Sequence, residues 1–447
     1  MLWTHLGHAG WLAEAGDIRL LFDPLLGPTH YGGVFETVPR RRLRAAELRP
    51  DFVFISHAHP DHFDVESLVR LARHDADSVL LSPDPWVCSI AQQAGFRVTR
   101  RLEPGQRVEL QCGYVVATPS LAADPECGFL VATADACVWN MVDTVFSGPE
   151  HVAQLSQASQ AAADASRLDL ALVRFQPLKE VQAALGQNLG FPFSDYEMLL
   201  REAIATDAHT LIPSSAGVQH TSAYAHMNAL VYPVRAGRFA KDLSVMAPER
   251  SVLTPRLGER FRVANGRVTR QGLDDSLLES VGLESEPEFR PLAFPPLHAS
   301  AADTPGLLEE IETWVDGDLC AGLSRQAPPH PHLLVLEVLT SAGTRSFVLE
   351  LDATGASRSE RAAADYDLLN QTTASALVSV IRGRASWGEL LLSARLRVSD
   401  RAYMLSGRCQ PMGFLPTFVY FGASYAQTEQ RATRYRLEHA LRQSLDD

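Results

Sequence analysis

Paired cysteines are missing from this chain. Its six cysteines, Cys88, Cys112, Cys127, Cys137, Cys320 and Cys409, are scattered, and no CxxC, CxH or CxxH spacing occurs. That excludes a Rieske cluster, a zinc ribbon and a thioredoxin-type redox pair. Long apolar runs are missing too, since none approaches the ~18 residues of a membrane helix. The N-terminus lacks a basic head followed by an apolar core. No signal peptide is expected, and a cytoplasmic location with reduced thiols follows. Positive charge is scarce: 40 Lys and Arg face 53 Asp and Glu, a net charge of −13. Nucleic acid and anionic membranes both require basic faces, so neither is an expected partner. The one local exception, Arg40-Arg41-Arg42-Leu43-Arg44, reads as a solvated loop or helix start. Internal repeats and low-complexity tracts are also absent.

What is present is an ordinary globular composition. Of 447 residues, 46% are hydrophobic and 21% charged, enough for two or three domains. Up to about residue 270, short apolar strands alternate with helical patterns. Strands are predicted at Trp11–Ala15, Ile18–Pro24, Val79–Ser82, Arg107–Ala117, Gly128–Ala132, Ala136–Val142, Leu168–Phe175 and Thr210–Pro213. Helices are predicted at Val65–His74, Pro85–Ala94, Glu150–Ser166 and Asp195–Ala208. The alternation predicts a layered α/β domain over residues 1–280. A Pro-rich linker is predicted at 281–305 and a smaller α+β unit at 306–447. In that unit helices are expected at Leu307–Trp314, Tyr366–Arg382 and Trp387–Leu392. Strands are expected at Leu333–Leu339, Ser346–Leu351 and Leu396–Val398.

The chemistry concentrates in His57-Ala58-His59-Pro60-Asp61-His62, directly after the apolar run Phe52-Val53-Phe54-Ile55. A loop leaving a buried strand aims three imidazoles and a carboxylate at one region. His57 and His59 suit one metal ion, Asp61 and His62 a second beside it. His5 and His8 are expected to be packed or hydrogen-bonded. Gly186–Ser194 is a Gly/aromatic loop with the character of a substrate lid or an ordinary connection.

Together with Gly7-His8-Ala9-Gly10 and Phe22-Asp23-Pro24, the HxHxDH loop resembles the metallo-β-lactamase superfamily, in its lactonase-like branch. The resemblance covers about residues 1–270. It implies an αββα sandwich with a dinuclear metal site at the sheet edge. It also implies a bridging aspartate, for which Asp143 fits, and a last ligand after the final strand, His220 or else His226. Asp61 and Asp143 are then the carboxylates expected to serve catalysis as well as ligation. Hydrolases of the family use a histidine as third ligand, but residues 118–128 contain none; Glu126, or else Asp124, stands there.

A carboxylate at that position adds negative charge and suits iron better than a histidine-dominated zinc pair. In this the chain resembles the diiron β-hydroxylase type of chloramphenicol biosynthesis. It also resembles the metallo-β-lactamase portion of CMP-N-acetylneuraminate hydroxylases, through Glu126, Asn140, Val142, Asp143, Gly190-Phe191-Pro192 and Pro213–Gly217. The C-terminal unit weakly resembles sterol-carrier-like domains. Its apolar helix carries Leu377, Val380 and Ile381, followed by Gly383 and Trp387. No polar constellation there points to catalysis, and a structural role is expected.

Three functions compete. The first is a diiron oxygenase acting on a small-molecule or carrier-bound substrate, with electrons from an external donor. The second is a dinuclear zinc hydrolase of an ester, lactone, amide or sulfate. The third is a non-catalytic binding protein, which the intact loop disfavours. Two metal ions are expected, iron favoured over zinc or manganese. The C-terminal unit could also bind an apolar group, receive a carrier protein or form the interface of a homodimer.

Overall fold

The computed structural model describes residues 1–184, 189–280, 297–325, 331–400 and 416–446. Most of the expected linker (281–296) and part of the expected lid (186–188) lie outside the described residues.

Two mixed sheets face each other. The first runs in the order Arg267–Leu273, Glu259–Ala264, Leu2–Gly7, Gly10–Ala15, Ile18–Phe22, Phe52–Phe54, Val79–Ser82 and Val98–Arg101. The second runs Arg107–Leu110, Gly113–Pro119, Cys127–Thr133, Cys137–Asn140, Leu170–Arg174, Thr210–Ser214 and Ser251–Val252. Alternation along the strands sorts side chains between layers. Leu20, Phe22 and Phe54 point between the sheets to meet Phe129, Val131 and Leu172. Leu21 and Val53 point outward beneath helices Val65–His74 and Pro85–Ala94. Trp139, Leu130 and Ala171 do the same beneath Phe193–Ala205 and Ala236–Met246. The result is an αββα sandwich.

Local sequence explains the helix entries. Asp64 accepts from Ser67 N at 2.9 Å, and Asp84 accepts from Trp86 N at 2.7 Å with Pro85 in the first turn. Asp64 closes the metal-type loop, so this cap also fixes where the loop ends.

The C-terminal unit is a five-stranded sheet in the order Gly355–Arg358, Gly343–Asp352, His332–Thr340, Leu368–Thr373 and Leu396–Asp400. Helices Leu308–Trp314, Ala374–Ile381 and Trp387–Leu392 pack on it through Ile311, Leu377 and Leu390. The helix expected over Tyr366–Arg382 is corrected here. Its first part is a strand, because Leu368, Asn370 and Thr372 turn inward at period two and pair parallel with His332–Thr340. The terminal helix Pro416–Asp446 escaped the sequence pattern; its Leu437 and Ala440 join the core beneath Val65–His74. No described helix is long and apolar enough to cross a membrane.

Arg40–Arg44 is a second correction. Arg41 is only 1% exposed on a strand, Arg41–Leu43, and donates to Leu6 O at 2.6 Å and Gly27 O at 3.3 Å. Burial pushes its pKa down to about 9.

Candidate metal centre

The site forms where both sheets end on the same side. The loop after Phe52–Phe54 carries His57, His59, Asp61 and His62, and a turn ties His62 N and Phe63 N to His59 O. Cys127 N donates to Ser56 O at 3.2 Å, stitching the second sheet to this loop. That contact brings Glu126, just before strand Cys127–Thr133, within electrostatic reach of His59 and His62. Asp143 follows strand Cys137–Asn140 after Val142, which takes a positive φ of 51°.

Asp23 organises the imidazoles. It is fully buried, and as a carboxylate it only accepts. It takes Ser56 N at 2.8 Å, Ser56 Oγ at 2.7 Å and His62 Nδ1 at 3.0 Å. Because the Ser56 hydroxyl proton goes to Asp23, Ser56 Oγ must accept from His57 Nδ1 at 2.8 Å. Both rings therefore carry Nδ1–H, and their Nε2 atoms face the cluster. His57 Nε2 lies 2.8 Å from His59 Nδ1. His62 Nε2 lies 3.2 Å from Asp143 Oδ2 and 3.4 Å from Asp61 Oδ2.

The electrostatics bring opposite charges together here. Burial alone would strip His62 of its second proton, but the charges of Asp61 and Asp143 outweigh it and hold the pKa well above the ordinary value. For Asp61, burial opposes ionisation, yet His62 and His8 hold its pKa well below the ordinary range. For His57 burial wins, reinforced by His62 and His59, and its pKa falls well below the usual value. Two groups have ligand atoms within 4.8 Å of one another: His57, His62 and Asp143, and His8, Asp61 and His62. Of these, His57, Asp61, His62 and Asp143 fit divalent metal ions of the borderline N/O type.

Glu126 is 7% exposed whereas Asp124 is exposed. Glu126 accepts from Ser120 Oγ at 2.6 Å. Burial raises its pKa, the Ser120 hydrogen bond lowers it, and the charge of Asp143 raises it further.

His220 is not brought to the cluster. Its Nε2 meets Leu392 O at 2.8 Å, its Nδ1 lies 3.3 Å from Asn228 Oδ1, and its ring packs 4.6 Å from Phe35. Leu392 O takes up its Nε2, and the groups of close ligand atoms among the described residues do not include it, so the expectation of a last ligand there is corrected. His226 stands exposed on the 3-10 helix Ser222–Met227.

His8 comes to the site instead. Gly217 N donates to its Nδ1 at 3.1 Å, so neutral His8 carries its hydrogen on Nε2, 3.2 Å from Asp61 Oδ2. A ring held in this tautomer turns its Nε2–H edge toward Asp61 and has no lone pair free for a metal. Gly217 makes the approach feasible: a Cβ there would sit 2.6 Å from His8 N. Gly217→Ala is expected to destabilise the fold by about 1–3 kcal/mol, as an overpacked backbone contact does. An unchanged urea midpoint would rule out that contact.

No pattern in the sequence marks two further buried groups. Among the described residues His30 has no hydrogen-bond partner on either ring nitrogen, and burial pushes its pKa down to about 3 against the pull of Asp61. Burial pushes the Glu180 carboxyl up to about 8, with the charges of Asp61 and Asp143 adding to the rise. Glu180 thus lies within electrostatic reach of the cluster.

Residues 18–204 match the model of the beta-lactamase superfamily domain. A UPF0173 metal-dependent hydrolase from Salinibacter ruber is 32% identical over 122 residues, 26% of this chain and 46% of that protein. A 4-amino-L-phenylalanyl-[CmlP-peptidyl-carrier-protein] 3-hydroxylase from Streptomyces venezuelae is 34% identical over 128 residues, 26% of this chain and 23% of that protein. The chain therefore spans less than half the length of either relative. Among solved structures, CmlA, a diiron beta-hydroxylase from Streptomyces venezuelae, is 15% identical and covers 60% of this chain and 54% of its own, with a TM-score of 0.41. A sterol carrier protein 2 like 2 from Aedes aegypti covers 23% of this chain and 93% of its own at 13% identity, with a TM-score of 0.19. Through the matched region and its αββα layering, the chain carries a domain of the beta-lactamase superfamily.

Proposed function

We propose that the cluster holds two divalent metal ions and that the protein is a dinuclear metal-dependent oxygenase. His57, His59, Glu126 and Asp143 would hold one ion. Asp61, His62 and Asp143 would hold the other. Bound there, iron supplies the redox chemistry that dioxygen activation requires. The chain's own part is to orient the ligands through Asp23 and Ser56, and to direct His8 at Asp61.

One observation supports the oxygenase reading: residues 118–128, where the resemblance looks for the third ligand, hold a buried carboxylate, Glu126, and no histidine. Hard oxygen ligands favour iron over zinc at such a site. The hydroxylase relative fits this reading, and a small-molecule or carrier-bound substrate with an external electron donor goes with it.

The resemblance to UPF0173 metal-dependent hydrolases supports a second reading, a zinc hydrolase. Zinc also accepts carboxylates, and it would lower the pKa of a bound water toward about 7.

Elemental analysis of protein purified without added metal separates the two. Iron near two ions per chain is expected, with oxygen uptake after anaerobic reduction. Zinc as isolated, together with no oxygen uptake by iron-loaded reduced protein, would replace the oxygenase with the hydrolase.

A further inference from the structure

A cavity of about 570 Å³ lies between the two units, within the size range of small-molecule sites. Tyr224 and His226 line it from the 3-10 helix Ser222–Met227 of the first domain. His298 and Asp303 line it from the segment before the second unit, and Arg395 and Arg397 from the second unit.

The charges are unbalanced. Asp303 is the sole acid among the described lining residues, and it is already saturated. It accepts from Ser300 N at 2.7 Å, Ser300 Oγ at 2.8 Å, Ser375 N at 2.8 Å and Ser375 Oγ at 2.6 Å. Arg395 is half-buried, with Nε on Ser393 Oγ at 2.9 Å and its guanidinium 5.2 Å from the Tyr224 ring centre. Among the described residues no carboxylate stands within ion-pair distance of it. Glu389, which feels its charge, is paired with Arg436. Arg397 is half-buried as well, with Nε on Ala394 O at 3.5 Å. A guanidinium partly withdrawn from water gains most from an oxyanion, which it binds through charge-assisted hydrogen bonds.

We propose that this cavity is a binding site for a small organic oxyanion, a carboxylate or phosphate on a compact body, with Arg395 as its anchor and Tyr224 beside the body. The proposal concerns binding and does not depend on the metal reading.

Calorimetry on the full chain with phenylphosphonate, benzoate and uncharged benzyl alcohol tests it. One or both anions should bind saturably, at least about tenfold tighter than the alcohol, as one charge-assisted contact requires. Comparing the two anions tells phosphate from carboxylate recognition. Arg395→Gln should weaken the anion by about tenfold or more, and Arg395→Lys by less. Ala223→Trp, a change at the exposed rim that removes no charge, should weaken it by narrowing the cavity. His59→Ala should leave binding intact.

Four outcomes would overturn the proposal. They are no saturable anion binding, equal binding of the alcohol, affinity unchanged in both Arg395→Gln and Ala223→Trp, or binding lost in His59→Ala, which would put the anion on the metal centre.

Discussion

His59→Ala is expected to abolish activity while leaving the fold intact. His59 is exposed at the rim, its Nδ1 meeting His57 Nε2, so truncating it opens no core cavity. It removes one imidazole from the site that we assign to the first metal ion. Metal ions contribute several kcal/mol to transition-state stabilisation, so a loss on the order of 10³-fold or more in kcat/KM is expected. Metal content should fall below that of the unsubstituted protein, and the thermal midpoint of the metal-free forms should coincide. Full occupancy of both sites in His59→Ala would refute the ligand assignment.

Asp23→Ala is expected to have the largest effect on stability. The buried carboxylate satisfies Ser56 N, Ser56 Oγ and His62 Nδ1 together. Removing it leaves all three buried without that partner and sets His57 and His62 free to change tautomer. Breaking such a buried polar network costs about 3–5 kcal/mol. Loss of an outer partner of this type typically lowers metal affinity by about 10- to 100-fold. Urea unfolding of metal-free protein reads the first effect, and competition with a chelator reads the second. A destabilised variant with unchanged metal affinity would show that Asp23 only packs. Asp23→Asn keeps the volume, so a smaller stability loss with a comparable affinity loss would isolate the charge.

The layered α/β alternation was legible because its signals are local, whereas the αββα order was implied by the resemblance. Phe52–Phe54 and Ile18–Phe22 alternate between two cores, and Asp64 and Asp84 cap the helices that follow. Tyr366–Arg382 was misread because its apolar spacing does not say which partner it has; pairing with His332–Thr340 decided the strand. Arg41 was misread for a related reason. Four arginines in five residues look solvated until the carbonyls of Leu6 and Gly27 come within reach of one of them.

By itself, the sequence determined that imidazoles and carboxylates would gather at one strand end, since the HxHxDH spacing forces its residues onto a single loop. Only the tertiary structure decided which distant residues join them. Asp23, 33 positions from Ser56 in the chain, sets the tautomers. Gly217, 209 positions from His8, turns that ring toward Asp61. His220 is drawn off to Asn228 and Leu392. The reason is physical: a loop of a few residues fixes its own geometry, whereas contacts across hundreds of residues exist only once two sheets have packed.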